Sequence, residues 1–185
     1  MAQRQRPWLV LAHAYVRVSE LQKLLECFGS VAAIADQPRA RLREAGLAEE
    51  KCAALASPDD KAIDAALAWL EDERHHLVTW GGDGYPELLG QIPGPPLLLY
   101  VNGSVEALQL PALAVIGSRN PTQGGTRNAR DFARHLARQG FAIVSGMAQG
   151  IDAAAHRGAL DANGTTIAFL GTGIDRVYPA GNRDL

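Results

Sequence analysis

From Leu113 onward the chain alternates between short apolar runs and amphipathic stretches, and this alternation limits its fold more than any other feature. LAVIG (113–117), FAIVSG (141–146) and TTIAFLG (165–171) read as strands. TQGGTRNARDFARHLARQG (122–140) and GIDAAAHRGALDANG (150–164) read as the helices between them. Strand runs that are apolar throughout, joined by helices, predict parallel βαβ units buried on both faces. Their crossovers should be right-handed. The expected class is therefore α/β.

The first part has a different period. LVLAHAYV, SELQKLLECFGS, PRARLREAG, AEEKCAALAS and PDDKAIDAALAWLEDERH give five short helical segments. Ser19 is the expected N-cap of the second and Gly29 its stop. Leu21, Leu24, Leu25 and Phe28 share one face of that helix. Ser57-Pro58-Asp59-Asp60 opens the last. The stretch that follows, HLVTWGGDGYPELLGQIPGPPLLLYVNGS, holds six glycines and four prolines, which mark turns around the short strands LVTW and LLLYV. The expected division is a helical domain at 1–78, a strand- and turn-rich connector at 79–111 and the sheet domain at 112–185.

Net charge is −2, so the whole molecule does not declare a polyanion partner, although it can hide a local patch. Residues 119–138 carry five arginines against one aspartate. Two cysteines, Cys27 and Cys52, make neither a disulfide framework nor a metal cluster and read as buried small hydrophobes in a reducing compartment. The apolar run WLVLA is too short for a signal peptide, and no window is long enough for a membrane span. A cytoplasmic location is expected.

Each strand of the sheet domain runs into a small-residue loop: Gly117-Ser118-Arg119, then Ser145-Gly146 with Gly150 beyond, then Gly171-Thr172-Gly173. In a parallel sheet these loops share the edge beyond the strand carboxyl ends, where ligands bind in open α/β folds. Glycine lets backbone N–H groups approach a ligand, and a following helix adds its positive end. Arg119 adds a full charge with a fork suited to phosphate. The edge is therefore suited to anions. A dinucleotide site would need G-x-G-x-x-G opening the first helix and an acid ending the second strand; the chain has GSRNPT and Ser145-Gly146 instead. A Walker loop needs G-K-[ST], which does not occur. No cofactor or metal site is expected.

Arg127, Arg130, Arg134 and Arg138 fall within an arc of about 80° on the first helix, opposite Ala129, Phe132, Ala133, Leu136 and Ala137. They form either a solvated face or a basic stripe for a nucleic-acid backbone. Asp152 and His156 stand at i, i+4. They are either a charge pair that fixes the loop or, with Ser145 as nucleophile, an acid–base set.

GSRNPT, SGMAQGIDAAAHRGAL and GTGIDRVYPAGN, in this order and spacing, resemble the DNA-processing protein A (DprA/Smf) family. GDGYPELLGQIPGPPLLLYVNGS resembles that family's entry into its core domain. The resemblance implies a Rossmann-like parallel sheet preceded by a small all-α, sterile-alpha-motif-like (SAM-like) domain. It also implies single-stranded DNA binding without catalysis, protection of incoming DNA, and delivery to the RecA recombinase in natural transformation. By the same resemblance Gly117, Ser118 and Arg119 make a phosphate-contacting turn, Ser145, Gly146, Gly150 and Asp152 a second loop, and Gly171 and Gly173 a third. Family members usually continue past Asn182, so the sheet is expected to be incomplete at Leu185, and homodimerisation is expected of the full-length form. AYVRVS stands where many relatives carry a glycine-rich hairpin. The alternative is a nucleotide-cleaving enzyme of the phosphoribohydrolase type, with Asp152 as the acid.

Overall fold

The structure, a computed structural model, describes residues 2–185. The chain divides into two compact units, residues 1–105 and 106–185.

The first unit begins with six helices: α1 (Ala2–His13), α2 (Val18–Phe28), α3 (Val31–Ala35), α4 (Arg39–Glu44), α5 (Glu49–Ala56) and α6 (Asp60–Trp69). Strands β1 (His75–Thr79) and β2 (Leu98–Asn102) then pair antiparallel, with Leu77 opposite Tyr100 and the short helix α7 (Glu87–Gly90) between them. The strands of the expected connector thus belong to the same unit as the helices. Leu9, Leu11, Leu21, Leu24, Ile34, Leu42 and Ile63 are fully buried and form the core. Large aliphatic side chains at helical spacing do the packing here, and each contributes about 1.5–3 kcal/mol by leaving water.

Three local expectations change. The cap of α2 is Arg17, whose amide donates to the Glu20 carboxylate at 2.8 Å, so Ser19 lies inside the first turn. The acid at the third helical position reaches back to the cap amide, so the helix starts two residues before the expected cap. Gly29 does end the helix, in a left-handed conformation with φ of 80°. Helix α3 was missed, because its five residues are too few to show a period; Ser30 caps it by accepting from the Ala33 amide. Cys52 is buried, but Cys27 is exposed on the outer side of α2.

The second unit is a parallel sheet in the order β3 (Ala112–Ala114), β4 (Ala142–Ser145), β5 (Thr166–Ala168). Helix α8 (Gln123–Arg138) links the first two strands and α9 (Ile151–Asp161) the last two. Leu113, Ile143 and Thr166 stand in register across it. The strands are shorter than their apolar runs because the last residues of each run leave the ladder and form the loops. Both crossovers step the same way across the sheet, so right-handed connections place α8 and α9 on one face. The expectation of burial on both faces therefore fails within this unit: β3 is exposed along its length, and Val144 and Ile167 on the other face are only partly covered.

The core of this unit is built from small residues: Ala133 and Ala137 of α8, Ala155 and Ala159 of α9, and Ile143 of β4. Gly158 sets the helix spacing. A Cβ at that position would overlap the carbonyl oxygen of Arg130 and stand 3.0 Å from the Ala133 methyl. Helices this close admit only methyl groups between them, so α8 turns its alanine stripe inward. Phe132, expected on the buried side, is left 66% exposed. Among the described residues no helix is long and apolar enough to cross a membrane.

Candidate nucleic-acid interface

The loops that follow β3, β4 and β5 meet at the carboxyl edge of the sheet, and hydrogen bonds join the first two into one piece. The Ile151 amide, at the start of α9, donates to the Ser118 carbonyl at 3.1 Å. The Asn120 amide donates to the Ser118 hydroxyl at 3.1 Å and tightens that turn. Gly150 lies against the same strand of backbone with φ of 88°; a Cβ there would overlap the Ser118 carbonyl and reach within 2.8 Å of that of Arg119. Only glycine allows this approach. Gly117 packs on the side chain of Ile151.

The second loop is braced from two sides. The Asp152 carboxylate accepts from the Ala148 amide at 3.3 Å, across the first turn of α9. From the far end of the unit the buried Asn182 side-chain amide donates to the Met147 carbonyl at 2.8 Å and holds Met147 in its left-handed conformation. Nothing in the sequence pointed to Asn182, since an asparagine after Pro-Ala-Gly reads equally well as a turn residue.

Between the loops lies a cavity of about 300 Å³. Arg119, Gly146, Gln149, Gly171, Thr172 and Tyr178 are among the residues that line it. Each of the three sequence-predicted loops thus contributes to a single cavity: Arg119 from the first, Gly146 from the second, and Gly171 and Thr172 from the third. Gly117, Ser118, Gly150 and Gly173 lie outside its lining. Among the described residues Arg119 forms no ion pair, and the amides of Gly146, Gln149, Gly171 and Thr172 find no acceptor. A guanidinium and unengaged amides around one hollow are the components of an anion site.

The other candidates are occupied by the fold. Ser145 is 3% exposed, and its hydroxyl donates to the Val115 carbonyl at 2.7 Å, tying β4 to the chain leaving β3. His156 is fully buried and does not hydrogen-bond to Asp152. Its Nδ1 lies 2.7 Å from the Thr166 hydroxyl, which itself donates to the Ile143 carbonyl at 2.8 Å. The hydroxyl has one proton, so Nδ1 must carry the other and donate to it. Nε2 is left as a buried lone pair without a partner. Burial pushes the His156 pKa down, against a smaller upward pull from Asp152. The expected Asp152–His156 pair is therefore replaced by two separate braces, one to the loop and one to β5. The i, i+4 spacing hid this because it says nothing of Thr166.

The arginine stripe is split as well. Arg130 makes a two-bond ion pair with Asp161 of α9 at 2.5 and 2.9 Å, and Arg134 pairs with Asp131 at 2.8 Å. Arg127 and Arg138 have no ion-pair partner among the described residues. Half of the stripe thus ties α8 to α9 and to itself. Among the described residues no three His, Cys, Asp or Glu side chains gather as metal ligands.

The family model for DNA recombination-mediator protein A matches residues 76–185, which includes all three loops. Protein Smf of Synechocystis is 48% identical over 119 residues, covering 62% of this chain and 30% of the relative. The crystal structure of DNA processing protein A from Streptococcus pneumoniae superposes with a TM-score of 0.76 at 28% identity, over 95% of this chain and 60% of that one. DNA processing protein A from Helicobacter pylori, whose structure was described for its single-stranded DNA binding mode, matches with a TM-score of 0.51 at 33% identity, over 58% of this chain and 48% of that one. The chain spans between 30% and 49% of the length of the curated relatives it matches. It belongs to the DNA recombination-mediator protein A (DprA/Smf) family.

Proposed function

We propose that the chain binds single-stranded DNA by its phosphates along the carboxyl edge of the three-stranded sheet, without catalysing a reaction. The observation that carries this reading is the meeting of Arg119, Gly146 and Gly171 at one cavity whose amides are unengaged. Fixed backbone donors and one guanidinium hold phosphates without reading bases. The described binding of single-stranded DNA by the Helicobacter pylori relative supports it. The supporting residues act at one remove: Asp152 braces the second loop, His156 ties α9 to β5, and Arg130 joins the two helices. Arg127, exposed one turn into α8, is like Arg138 free of ion pairs among the described residues. Ser145, Asp152 and His156 each have structural bonds of their own, which favours binding over the nucleotide-cleaving alternative. Family membership extends the proposal to protection of incoming DNA, delivery to RecA in natural transformation, homodimer formation and a cytoplasmic setting.

Equilibrium binding to oligonucleotides at several salt concentrations tests the reading. Arg119→Ala should weaken binding to all sequences alike and reduce the magnitude of the salt slope by about one. Unchanged affinity and slope would refute it.

A further inference from the structure

A groove of about 640 Å³ lies wholly within the first unit, among the turn that joins α1 to α2, Lys51 of α5 and the segment 95–98 that enters β2. Its lining is mostly apolar, with Tyr15, Pro95, Pro96 and Leu97 in it, and its two charged residues are Arg17 and Lys51. Tyr15 is at odds with the local backbone. At the end of α1 the Tyr15 amide donates to the Ala12 carbonyl at 2.9 Å and the Val16 amide to the Leu11 carbonyl at 3.0 Å. This closing pattern puts the residue after the helix in the left-handed conformation, which glycine adopts most easily. Gly29 takes that place after α2, but here a tyrosine does, with φ of 53°. A bulky side chain resists this conformation, and Tyr15, 83% exposed, gains nothing from the core in return. Strain of this kind persists where a side chain is wanted at that spot.

The charges at the groove do not balance. Arg17 and Lys51 share one carboxylate, Glu20, to which the guanidinium donates at 3.1 Å and the ammonium at 2.5 Å. Among the described residues neither cation has another ion-pair partner. The Lys51 side chain is only 19% exposed, yet one of its three N–H groups is engaged. Two cations against one anion leave a net positive charge and free donors beside an apolar lining. The lining is also fixed in advance: the Tyr85 hydroxyl donates to the Pro96 carbonyl at 2.7 Å and the Trp80 amide to that of Leu97 at 2.9 Å. We propose that this groove docks a short segment of a partner protein in which a large apolar side chain stands next to a carboxylate. Tyr15 and the two prolines receive the apolar side chain, as aromatic anchors do at protein interfaces. Arg17 and Lys51 receive the carboxylate through charge-assisted hydrogen bonds. A polynucleotide fits poorly, because its charge repeats at every residue and the groove has one cation in excess. The proposal goes beyond the phosphate reading of the sheet unit and does not depend on it.

The test titrates the full chain with three capped pentapeptides and follows the backbone amide signals of Tyr15, Lys51 and Leu97 by NMR. One peptide has phenylalanine between two glutamates, the second has glutamines in place of the glutamates, and the third has alanine in place of the phenylalanine. The first should shift these signals saturably, and the other two should bind more weakly. Arg17→Gln should narrow the difference between the first and second peptides. Tyr15→Gly should bind the first peptide about 5- to 30-fold more weakly. Its hydrogen exchange in α1 should be no faster than in the wild type, since glycine suits the turn better. No saturable shift with the first peptide overturns the proposal, as does equal binding of all three. Wild-type affinity in Tyr15→Gly overturns it, and so does a loss accompanied by faster exchange in α1, which gives Tyr15 a structural role. The same signals moving with a thymidine oligonucleotide instead would assign the groove to nucleic acid. Their moving on raising the protein concentration alone would assign it to a second copy of the chain, and either result overturns the proposal.

Discussion

The two units solve the packing problem in opposite ways. The helical unit fills its interior with leucine and isoleucine, and its short helices are spaced by those side chains. The sheet unit fills its interior with alanine around one glycine, and its two long helices nearly touch. A core of large side chains gains its stability from apolar area and is damaged by removing atoms. A core of small ones gains little per residue but fixes where backbone lies, and it is damaged by adding atoms. The sheet unit is the one whose backbone positions carry the candidate site.

That contrast can be broken by experiment. The largest effect is expected from deletion in the helical unit: Leu21→Ala should cost about 2–5 kcal/mol, read as faster native-state hydrogen exchange across α2. Next is addition in the sheet unit. Gly158→Ala should cost about 1–3 kcal/mol and raise exchange in α8 and α9, where alanine would otherwise favour a helix. An unchanged or slower exchange there would mean that the close helix contact does not limit this unit.

The finest distinction is by pH. In the helical unit burial pushes the Glu20 carboxyl up, but hydrogen bonds from Arg17 and Lys51 outweigh it and hold the pKa down to about 2. Its contribution is present above the unfolded value of about 4.5 and is lost as pH falls toward 2; on the order of 3 kcal/mol is the upper limit. In the sheet unit His156 is held neutral by burial, so its pKa lies below the unfolded value of about 6.5. The unfolded chain then takes up the proton more readily, and this unit should weaken as pH falls below that value. Exchange measured between pH 7 and pH 4 should therefore rise in α9 before it rises in α2, and the reverse order would contradict the assignment of His156 as a buried neutral group.

The same contrast explains what the sequence made legible. The βαβ alternation stood out because its strand runs are apolar throughout and its helices are long enough to show their period, and the stop at Gly29 is marked by residue type. The three loops were found because small residues after apolar runs have few other uses. Their internal wiring was hidden. Ser145, Asp152 and His156 look like a catalytic set in one dimension, yet each is bonded to a partner that the sequence leaves unmarked: Val115, Ala148 and Thr166. Two of these partners act through backbone atoms, which residue type cannot reveal. Phe132 was misplaced because a helical wheel weighs hydrophobicity and ignores how near the neighbouring helix comes.

The bond from the Ile151 amide to the Ser118 carbonyl has a consequence for binding rates. It makes the first two loops a single stiff rim before any ligand arrives. A rim already in shape gives up little entropy on association, so changes to the groups that touch the ligand should register in how long a strand stays rather than in how fast it lands.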